Sequence, residues 1–475
     1  MRRGGAEGGG APLLQRRLQG GRGGPRPAPL RAVAETGAEG RGPRATRAHG
    51  PPGRKPPLGR ADGRGPCPDL APQARRGPVR RRAHGPVLRP ARAPRARVRI
   101  LYVATDQTVP GATGGSVHVL EVARGLARRG HEVHVVIAAD GGPPREVEAG
   151  VVWHRVDWRP RHRLFRFRAR PAVEAIADQV RPAVVMERYY NFGGEGIGTA
   201  SRRGIPSLLE VNSPVVDHPY SAKRALDAAL IVRPMRRYRE SLCRQAAALV
   251  SPIPEIVPAF ARGKTETVTW GANVDAFSPD RRRDDFRRAL GVPEGALAVV
   301  FTGSFRPWHG VHVLEAAARR LRQRGDLYFL LVGGPHARPG EGYRGRRLGS
   351  RPYTEMPEIV AAGDIGVAPY DPARLRALAL GFYWSPLKIF EYMASGLPTV
   401  TIPRPPLTEI VREGQEGLHA REGDPVALAD AVTKIASDAA LRRRLGASAR
   451  VRVVERYSWA CHCEQLERVL LRIAA

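Results

Sequence analysis

The feature that most constrains the fold is an alternation of short apolar runs with segments of helical periodicity. In the first block, RILYVA (99–104) precedes a helical pattern over 114–131 that opens with two glycines, and EVHVVIA (132–138) follows. A strand, a glycine loop, a helix and a second strand in this order are typical of a parallel sheet. The alternation continues to 267–270 and restarts at LAVVFTGSF (297–305). The sequence therefore predicts an α/β protein with two Rossmann-like, doubly wound domains that face a central cleft.

The domain boundaries follow from where this alternation stops. We place an N-terminal domain at 97–275 and a second domain at 276–455, and we expect a last helix within 456–475 to pack back on the N-terminal domain. Residues 1–96 are rich in Gly, Pro, Arg and Ala and show no sustained period. Such a composition cannot bury enough apolar surface to offset the entropy of ordering. We expect either a disordered extension or a start assigned too far upstream.

The formal net charge of +33 is unevenly distributed. Residues 1–97 hold 23 Lys and Arg against 5 Asp and Glu, whereas the rest of the chain is moderately basic. A basic surface permits an acidic substrate, anionic lipid head groups or nucleic acid, and does not select among them. The four cysteines have neither zinc-site spacing nor the pattern of a disulfide framework.

The stretch SPLKIFEYMASGLP (385–398) predicts a helix with an unusual charge in its first turn. Ser385 suits the N-cap, Pro386 suits the next position, and Gly396 suits the turn after the helix ends. Lys388 then lies at the positive end of the helix dipole, where acidic residues are preferred. Either a bound phosphate compensates the lysine, or the lysine is a surface residue paired with Glu391.

Glu391 raises a similar question because Ile389, Phe390 and Met393 surround it in the sequence. A carboxylate is costly to bury without a partner. Glu391 either pairs with Lys388 or accepts hydrogen bonds from ligand hydroxyls such as those of a ribose.

Four motifs in register resemble one known family. SPLKIFEYMASGLPTV, FTGSFRPWHGVHVLEAA (301–317), GGSVHV (114–119) and GANVD (271–275) are similar to motifs of the retaining nucleotide-sugar glycosyltransferases of family four, which have the GT-B fold. The resemblance covers about 98–470. It implies a glycosyltransferase that moves a sugar from a nucleoside diphosphate donor to a carbohydrate, lipid-linked or small-molecule acceptor.

The resemblance also implies roles for individual residues. Lys388, Glu391 and Arg306 are the expected catalytic residues, with Glu391 on the donor ribose and Lys388 on the diphosphate. Gly114 and Gly115 would face the donor phosphate or the acceptor across the cleft. The remaining expected donor-binding residues are Gly303, Ser304, His309, Ser385, Pro386 and Leu387.

Two departures from the family pattern limit this transfer. The family motif has two acids separated by seven residues, which would put the first at position 383, and this chain has Tyr383 there instead, which leaves the sugar contacts open. The loop after the second domain's first strand usually carries Arg followed by Lys-Gly, whereas this loop reads SFRPWHG. Ser304 and His309 occupy the usual basic positions, so Arg306 is the expected substitute, or an ordinary loop residue.

The expected acceptor side is formed by residues near the ends of two N-terminal strands. Glu187 and Arg188 follow one strand, and Glu210 and Asn212 lie at the edge of the next. The alternative is a structural hydrogen-bond network between loops. The sequence shows no base or nucleophile partner for His118, His131 or His134, so we read them as helix or strand residues.

We expect neither a metal nor a cofactor, with the nucleotide sugar as co-substrate. The folded part contains no Asp-x-Asp and no metal-like spacing. The helix dipole, backbone N–H groups and basic side chains would then stabilise the leaving group. In that scheme transfer is metal-independent and retaining, and the departing diphosphate helps to deprotonate the acceptor.

Other functions stay open at this point. They are a GT-B epimerase, an inactive transferase, or a basic protein that binds nucleic acid or a membrane surface; a phosphorylase would need a pyridoxal lysine, which none of the five lysines suits. No nucleic-acid motif supports a nucleic-acid partner. The stretch RPRHRLFRFRAR (159–170) mixes aromatic and basic residues, and suits either an anionic membrane surface or an exposed loop. Without a long apolar run or signal peptide, we expect a cytoplasmic protein, with a peripheral position on the inner face of the membrane as the alternative.

Overall fold

The structure is a computed structural model. It describes residues 96–111, 113–159, 163–189, 193–218, 221–230, 234–383 and 385–475, apart from the side chains at 163, 164 and 223. The predicted disordered extension therefore lies outside the described residues, except for Ala96.

The first described sheet has eight strands in the order β3-β4-β2-β1-β5-β6-β7-β8, and every neighbouring pair except β3 and β4 is parallel. Its strands are β1 (Arg99–Ala104), β2 (Glu132–Ala138), β3 (Arg145–Glu148), β4 (Val151–Val156), β5 (Val184–Tyr189), β6 (Ser207–Val211), β7 (Ala248–Ser251) and β8 (Thr265–Thr267). Strand order reverses between β1 and β5, so the crevice of this sheet lies at the carboxyl ends of those two strands.

The second described sheet has six strands in the order β11-β10-β9-β12-β13-β14. Its strands are β9 (Leu297–Thr302), β10 (Leu327–Pro339), β11 (Gly345–Gly349), β12 (Ile365–Val367), β13 (Thr399–Thr401) and β14 (Gly417–His419). Here the order reverses between β9 and β12. The two sheets confirm the predicted α/β class with two Rossmann-like domains.

Thirteen α-helices are described, mostly as connections between parallel strands. They are α1 (Gly114–Arg128), α2 (Arg170–Val180), α3 (Glu195–Arg202), α4 (Ala222–Ala229), α5 (Pro234–Gln245), α6 (Asp284–Ala289), α7 (Val311–Arg320), α8 (Met356–Ala361), α9 (Leu387–Ala394), α10 (Leu407–Ile410), α11 (Pro425–Ser437), α12 (Ala439–Arg456) and α13 (Trp459–Ala474). No described helix is long and apolar enough to cross a membrane.

The C-terminal helix α13 packs on the first domain. Its Trp459, Leu466 and Leu470 are buried in one apolar cluster with Ile100 of β1 and Val135 of β2. Glu467 of the same helix pairs with Arg129 and, at 3.0 Å, with His131 Nε2. The helix therefore follows the second domain in sequence but belongs to the core of the first.

Candidate active site

The carboxyl ends of both sheets line one cleft, a cavity of about 980 Å³. The first domain contributes the loop after β1, the start of α1 and the loop after β6. The second contributes the loop after β9, the end of β10 and the start of α9. Predicted site residues in the lining are Gly114, Gly115, Arg188, Asn212, Gly303, Ser304, Arg306, His309, Ser385, Leu387, Lys388 and Glu391.

Helix α9 begins one residue later than predicted. Pro386 is the N-cap and no side chain caps the helix, so the prediction that Ser385 is the N-cap is wrong. The reason is a backbone turn, in which the Leu387 N–H donates to the Ser385 carbonyl at 2.9 Å. Gly396 has φ +71°, the left-handed turn expected after the helix. Lys388 thus stays in the first turn, while Pro386 is buried outside the cleft lining.

The Lys388 ammonium is buried without an anion. The residue is 9% exposed, and Nζ lies 4.2 Å from the ring centre of Phe301 and 5.2 Å from that of Tyr370. No described residue accepts a hydrogen bond from Nζ. Burial lowers the pKa of Lys388 to about 7, although the charge of Glu391 acts in the opposite direction. The alternative of a surface lysine paired with Glu391 is therefore wrong.

Glu391 is the second buried ionisable group at this helix. It is 4% exposed and accepts a hydrogen bond from the Tyr353 hydroxyl at 3.1 Å. Burial raises the pKa of Glu391 to about 8, and the Tyr353 hydrogen bond and Lys388 partly offset this rise. A carboxyl group held this way is largely protonated at neutral pH, but its oxygens can still accept a hydrogen bond from a ligand in the cleft.

The loop after β9 gathers the remaining predicted donor residues around Gly303. Gly303 has φ +153°, and a Cβ there would lie 2.7 Å from Lys388 Nζ and 3.1 Å from His309 Nδ1. Only glycine leaves room for both groups. Ser304 and Arg306 are exposed, whereas His309 is buried and its Nδ1 has no hydrogen-bond partner among the described residues.

On the opposite wall of the cleft, formed by the first domain, the two glycines at the start of α1 lie next to different side chains. A Cβ on Gly115 would lie 2.6 Å from Gln107 Oε1 and 3.1 Å from Arg188 Nη2, so its absence makes room for the wall's own polar groups. Gly114 instead faces Trp270 and, from the second domain, Leu387, at 3.9 and 4.0 Å from its Cβ position. Gly114 thus lies beside the start of α9.

Sequence reasoning missed two polar residues of this wall, Asp106 and Arg166. Asp106 follows β1 and pairs with Arg188. Arg166 is 2% exposed and donates to Thr105 Oγ1 at 3.0 Å and to Glu195 Oε2 at 3.1 Å. The position of Asp106 at the carboxyl end of a buried strand was a usable signal, but Arg166 lies in a stretch that resembles an exposed basic segment.

Two of the predicted acceptor residues are not among the described residues that line the cleft. Glu187 is buried and accepts from the backbone N–H groups of Gly194 and, at 2.7 Å, Ile197 at the start of α3. Glu210 pairs with His118 Nε2 at 2.7 Å and accepts from the Tyr102 hydroxyl at 2.9 Å. Their placement agrees with the structural network that the sequence left as the alternative.

His118 lies in α1, as the sequence predicts, but it pairs with Glu210 from a distant strand, and a third residue joins them. His118, Glu210 and His462 are buried, and a ligand atom of each lies within 4.8 Å of the others, a geometry that could hold a metal ion. His462 Nδ1 lies 2.8 Å from the Thr269 carbonyl. Sequence spacing could not show this cluster because its members come from α1, β6 and α13.

Two further sequence interpretations bear on the surroundings of the cleft. Tyr383, at the position of the family acid, is 4% exposed and lies in the cleft lining.

In the basic stretch 159–170, Arg166 is buried in the network above, and the preceding Trp158 is also buried, donating to the Thr105 carbonyl at 3.1 Å. Phe167 is 57% exposed. Among the described side chains of this stretch, Arg166 is therefore not available to a membrane surface.

Two family models and a curated relative match the sequence of this chain. Residues 296–438 match the family model "Glycosyl transferases group 1", and residues 113–264 match "Glycosyl transferase 4-like domain". A D-inositol 3-phosphate glycosyltransferase of Corynebacterium diphtheriae is 25% identical over 413 residues, which cover 78% of this chain and 94% of that protein. The two matched ranges together make up more than half of the chain.

Two solved structures share the fold, and each aligns with 79% of this chain. Sucrose-phosphate synthase from Thermosynechococcus elongatus superposes with a TM-score of 0.61 at 20% identity, covering 79% of this chain and 99% of the other. Anabaena HepE in complex with UDP and glucose gives 0.56 at 15% identity, covering 79% and 100%. At these identities the likeness concerns the fold alone.

Proposed function

The chain belongs to the family-four type of glycosyltransferases with the GT-B fold, and from this premise we propose that it moves a sugar from a nucleoside diphosphate donor to a hydroxyl acceptor. The observation that carries the proposal is Lys388, a buried cation without an anion in the first turn of a helix that opens on the cleft. A diphosphate supplies the missing negative charge. The α9 dipole and its first N–H groups add to the attraction.

The donor would lie along the second domain. Its diphosphate would contact Lys388, Arg306 and the backbone beside Gly303. Its ribose would donate hydroxyl hydrogen bonds to Glu391. The base would lie beside Gly333 and Tyr353, which line the cleft next to these groups.

The acceptor would lie against the first domain, beside Arg188 and Asn212. The charge of Arg188 is already balanced by Asp106, so this wall offers polar groups without a strong net charge. Of the acceptor classes that the sequence allows, a small hydroxyl-rich molecule suits such a wall best. The curated relative named for D-inositol 3-phosphate points to the same class.

We further propose transfer with retention at the anomeric carbon. The described cleft lining has only two carboxyl groups, those of Asp106 and Glu391, and both are engaged, by Arg188 and Tyr353. The bond from the anomeric carbon to the diphosphate oxygen would break as the acceptor oxygen bonds on the same face. The acceptor proton would pass to the departing diphosphate, whose charge Lys388 and the helix dipole stabilise.

A chelator should leave the rate of transfer unchanged within about twofold. The proposed leaving-group charge is stabilised by Lys388, Arg306 and backbone N–H groups, which need no divalent cation. Turnover would be measured after brief exposure to EDTA, and circular dichroism in the same sample would detect any loss of structure. Loss of activity with an intact fold would contradict metal-independent transfer.

Nucleotide sugars should raise the midpoint of thermal unfolding, because a ligand that binds only the native state stabilises it. A screen of UDP-glucose, ADP-glucose, GDP-mannose and their diphosphates would identify the base. The matched control is the same screen with the corresponding nucleosides, which lack the diphosphate. A protein that responds to no diphosphate compound would contradict the proposed function.

A further inference from the structure

We propose that His118, Glu210 and His462 bind a divalent transition metal ion, which we take to be zinc, and that this ion fastens the C-terminal helix to the first domain. The three residues come from α1, β6 and α13. None of them is among the described residues that line the cleft. The site is therefore separate from the transfer reaction, and the inference does not depend on the proposed function.

The three side chains are enclosed by the core of the first domain. His118 is 0% exposed, Glu210 3% and His462 2%. The rings of Trp270 and Trp459 pack on His118, with 4.4 Å and 5.5 Å between ring centres. Such packing holds the three groups in one arrangement before any ligand binds, and pre-organisation of this kind lowers the entropic cost of binding.

The contacts of the two Nδ1 atoms fix which ring nitrogen of each histidine carries the hydrogen. His462 Nδ1 lies 2.8 Å from the Thr269 carbonyl, which can only accept, so in the neutral ring Nε2 holds the lone pair. The Tyr102 hydroxyl donates its one hydrogen to Glu210 Oε2 at 2.9 Å. It therefore offers only a lone pair to His118 Nδ1 at 3.5 Å, which places the lone pair of neutral His118 on Nε2 as well.

Both Nε2 lone pairs belong to the cluster and lack a hydrogen. Neither Nε2 atom has a hydrogen-bond partner among the described residues. His118 Nε2 lies only 2.7 Å from Glu210 Oε1, yet this contact is not aligned as a hydrogen bond. Two lone-pair atoms this close repel each other unless a cation lies beside both. A metal ion supplies that cation, and in a chain without the metal a proton on His118 takes its place.

The composition and spacing of the cluster suit zinc. Zinc accepts two imidazoles and one carboxylate from a protein, with water as the fourth ligand. One ligand atom of each residue lies within 4.8 Å of the other two. Tetrahedral ligands at about 2.1 Å from zinc are about 3.4 Å from one another, so His118 and Glu210 would move slightly apart and His462 slightly inward.

The outer hydrogen bonds of the cluster are those that metal ligands usually have. A histidine that binds a metal normally donates its other ring N–H to a carbonyl or another acceptor, and a ligating carboxylate is itself hydrogen-bonded. The Thr269 carbonyl serves His462 in this way, and the Tyr102 hydroxyl serves both Glu210 and His118. Because His462 belongs to α13, a metal bound here would join that helix to α1 and β6.

The test is the metal content of the full chain, refolded from denaturant with zinc chloride or with EDTA and then dialysed. We expect about one zinc per chain after refolding with zinc, and a higher midpoint of thermal unfolding than in the EDTA sample. X-ray absorption should show nitrogen or oxygen ligands at about 2.0–2.1 Å and no sulfur at about 2.3 Å, which separates this site from binding by cysteines. The His462→Gln variant should bind zinc at least about tenfold more weakly, since loss of an outer hydrogen bond alone has an effect of that size.

His131→Gln is the matched control, because His131 also contacts α13, through Glu467 at 3.0 Å, but lies outside the cluster. It should lose stability and still bind about one zinc per chain. A native chain that binds no zinc, sulfur ligands in the absorption spectrum, or equal zinc affinity in His462→Gln would each overturn the inference. If His462→Gln does not fold, the metal content and absorption spectrum of the native chain decide the question. Failure of nucleotide sugars to bind would overturn the proposed function and leave this result unaffected.

Discussion

Replacing Lys388 with Met should weaken nucleotide-sugar binding by at least about a hundredfold and, at the same time, stabilise the fold. Binding falls because the variant loses a buried charge-assisted contact with the diphosphate, worth about 3 kcal/mol or more. Stability rises because the native ammonium is buried without an anion in the empty protein, whereas a methionine would pack on Phe301 and Tyr370. Opposite changes in affinity and stability identify a residue kept for ligand binding.

The gain in stability should depend on pH in a defined direction. The folded-state pKa of Lys388 is about 7, below the unfolded value of 10.5, so the folded protein binds fewer protons between these values. The free energy of unfolding of the native chain should therefore rise with pH from about 7 to 10.5 through this group. The Met variant lacks that contribution, and its advantage should be largest at or below pH 7.

Calorimetric titration and thermal unfolding at pH 7 measure both effects. The control is Lys434→Met, since Lys434 is exposed on α11 and should change neither quantity beyond experimental error. Lys388→Glu should abolish binding by placing a carboxylate beside the diphosphate. Unchanged donor affinity in the Met variant would remove Lys388 from the proposed donor site.

The parallel core of the fold could be predicted because buried strands read as continuous apolar runs. Such runs predicted β1 and β2 with the bounds that the structure has. The strand β3 could not be found this way, because all four of its residues are exposed and its pairing with β4 is antiparallel.

In the candidate site, too, residues could be predicted where the signal is local in the sequence. They could not be predicted where their role depends on partners far along the chain. Lys388 was found because a cation in a first helical turn conflicts with a local rule, and such conflicts concentrate at functional positions. Glu187 and Glu210 looked equivalent in sequence, since each ends a run of apolar strand residues. Their partners distinguish them, and these partners are distant along the chain: His118 lies 92 residues from Glu210, with Tyr102 108 residues away.

The Glu210→Gln variant should lower the free energy of unfolding at pH 7 by about 3 kcal/mol while leaving the Michaelis constant for the acceptor unchanged. The carboxylate is buried between His118 and Tyr102. Burial acts to raise the pKa of Glu210, but His118, His462 and Arg188 together lower it to about 2, from 4.5. A shift of about 2.5 pKa units corresponds to about 3 kcal/mol. A glutamine still accepts the Tyr102 hydrogen bond but loses the negative charge that lies 2.7 Å from His118 Nε2.

Because the folded pKa lies below the unfolded value, this stabilisation is complete above pH 4.5 and disappears as the pH falls toward about 2. Denaturant unfolding at pH 7 and pH 4 should therefore show a smaller difference between the native chain and Glu210→Gln at the lower pH. Glu187→Gln is the matched control in the neighbouring strand, since burial and Glu195 raise the pKa of Glu187 to about 8 and leave it largely protonated at pH 7. Because its folded pKa lies above the unfolded value, Glu187 costs stability as the pH rises above 4.5, so Glu187→Gln should lose less stability at pH 7 than at pH 4, the opposite of Glu210→Gln. Equal losses in the two variants would show that size and packing, and not ionic pairing, determine what each glutamate contributes.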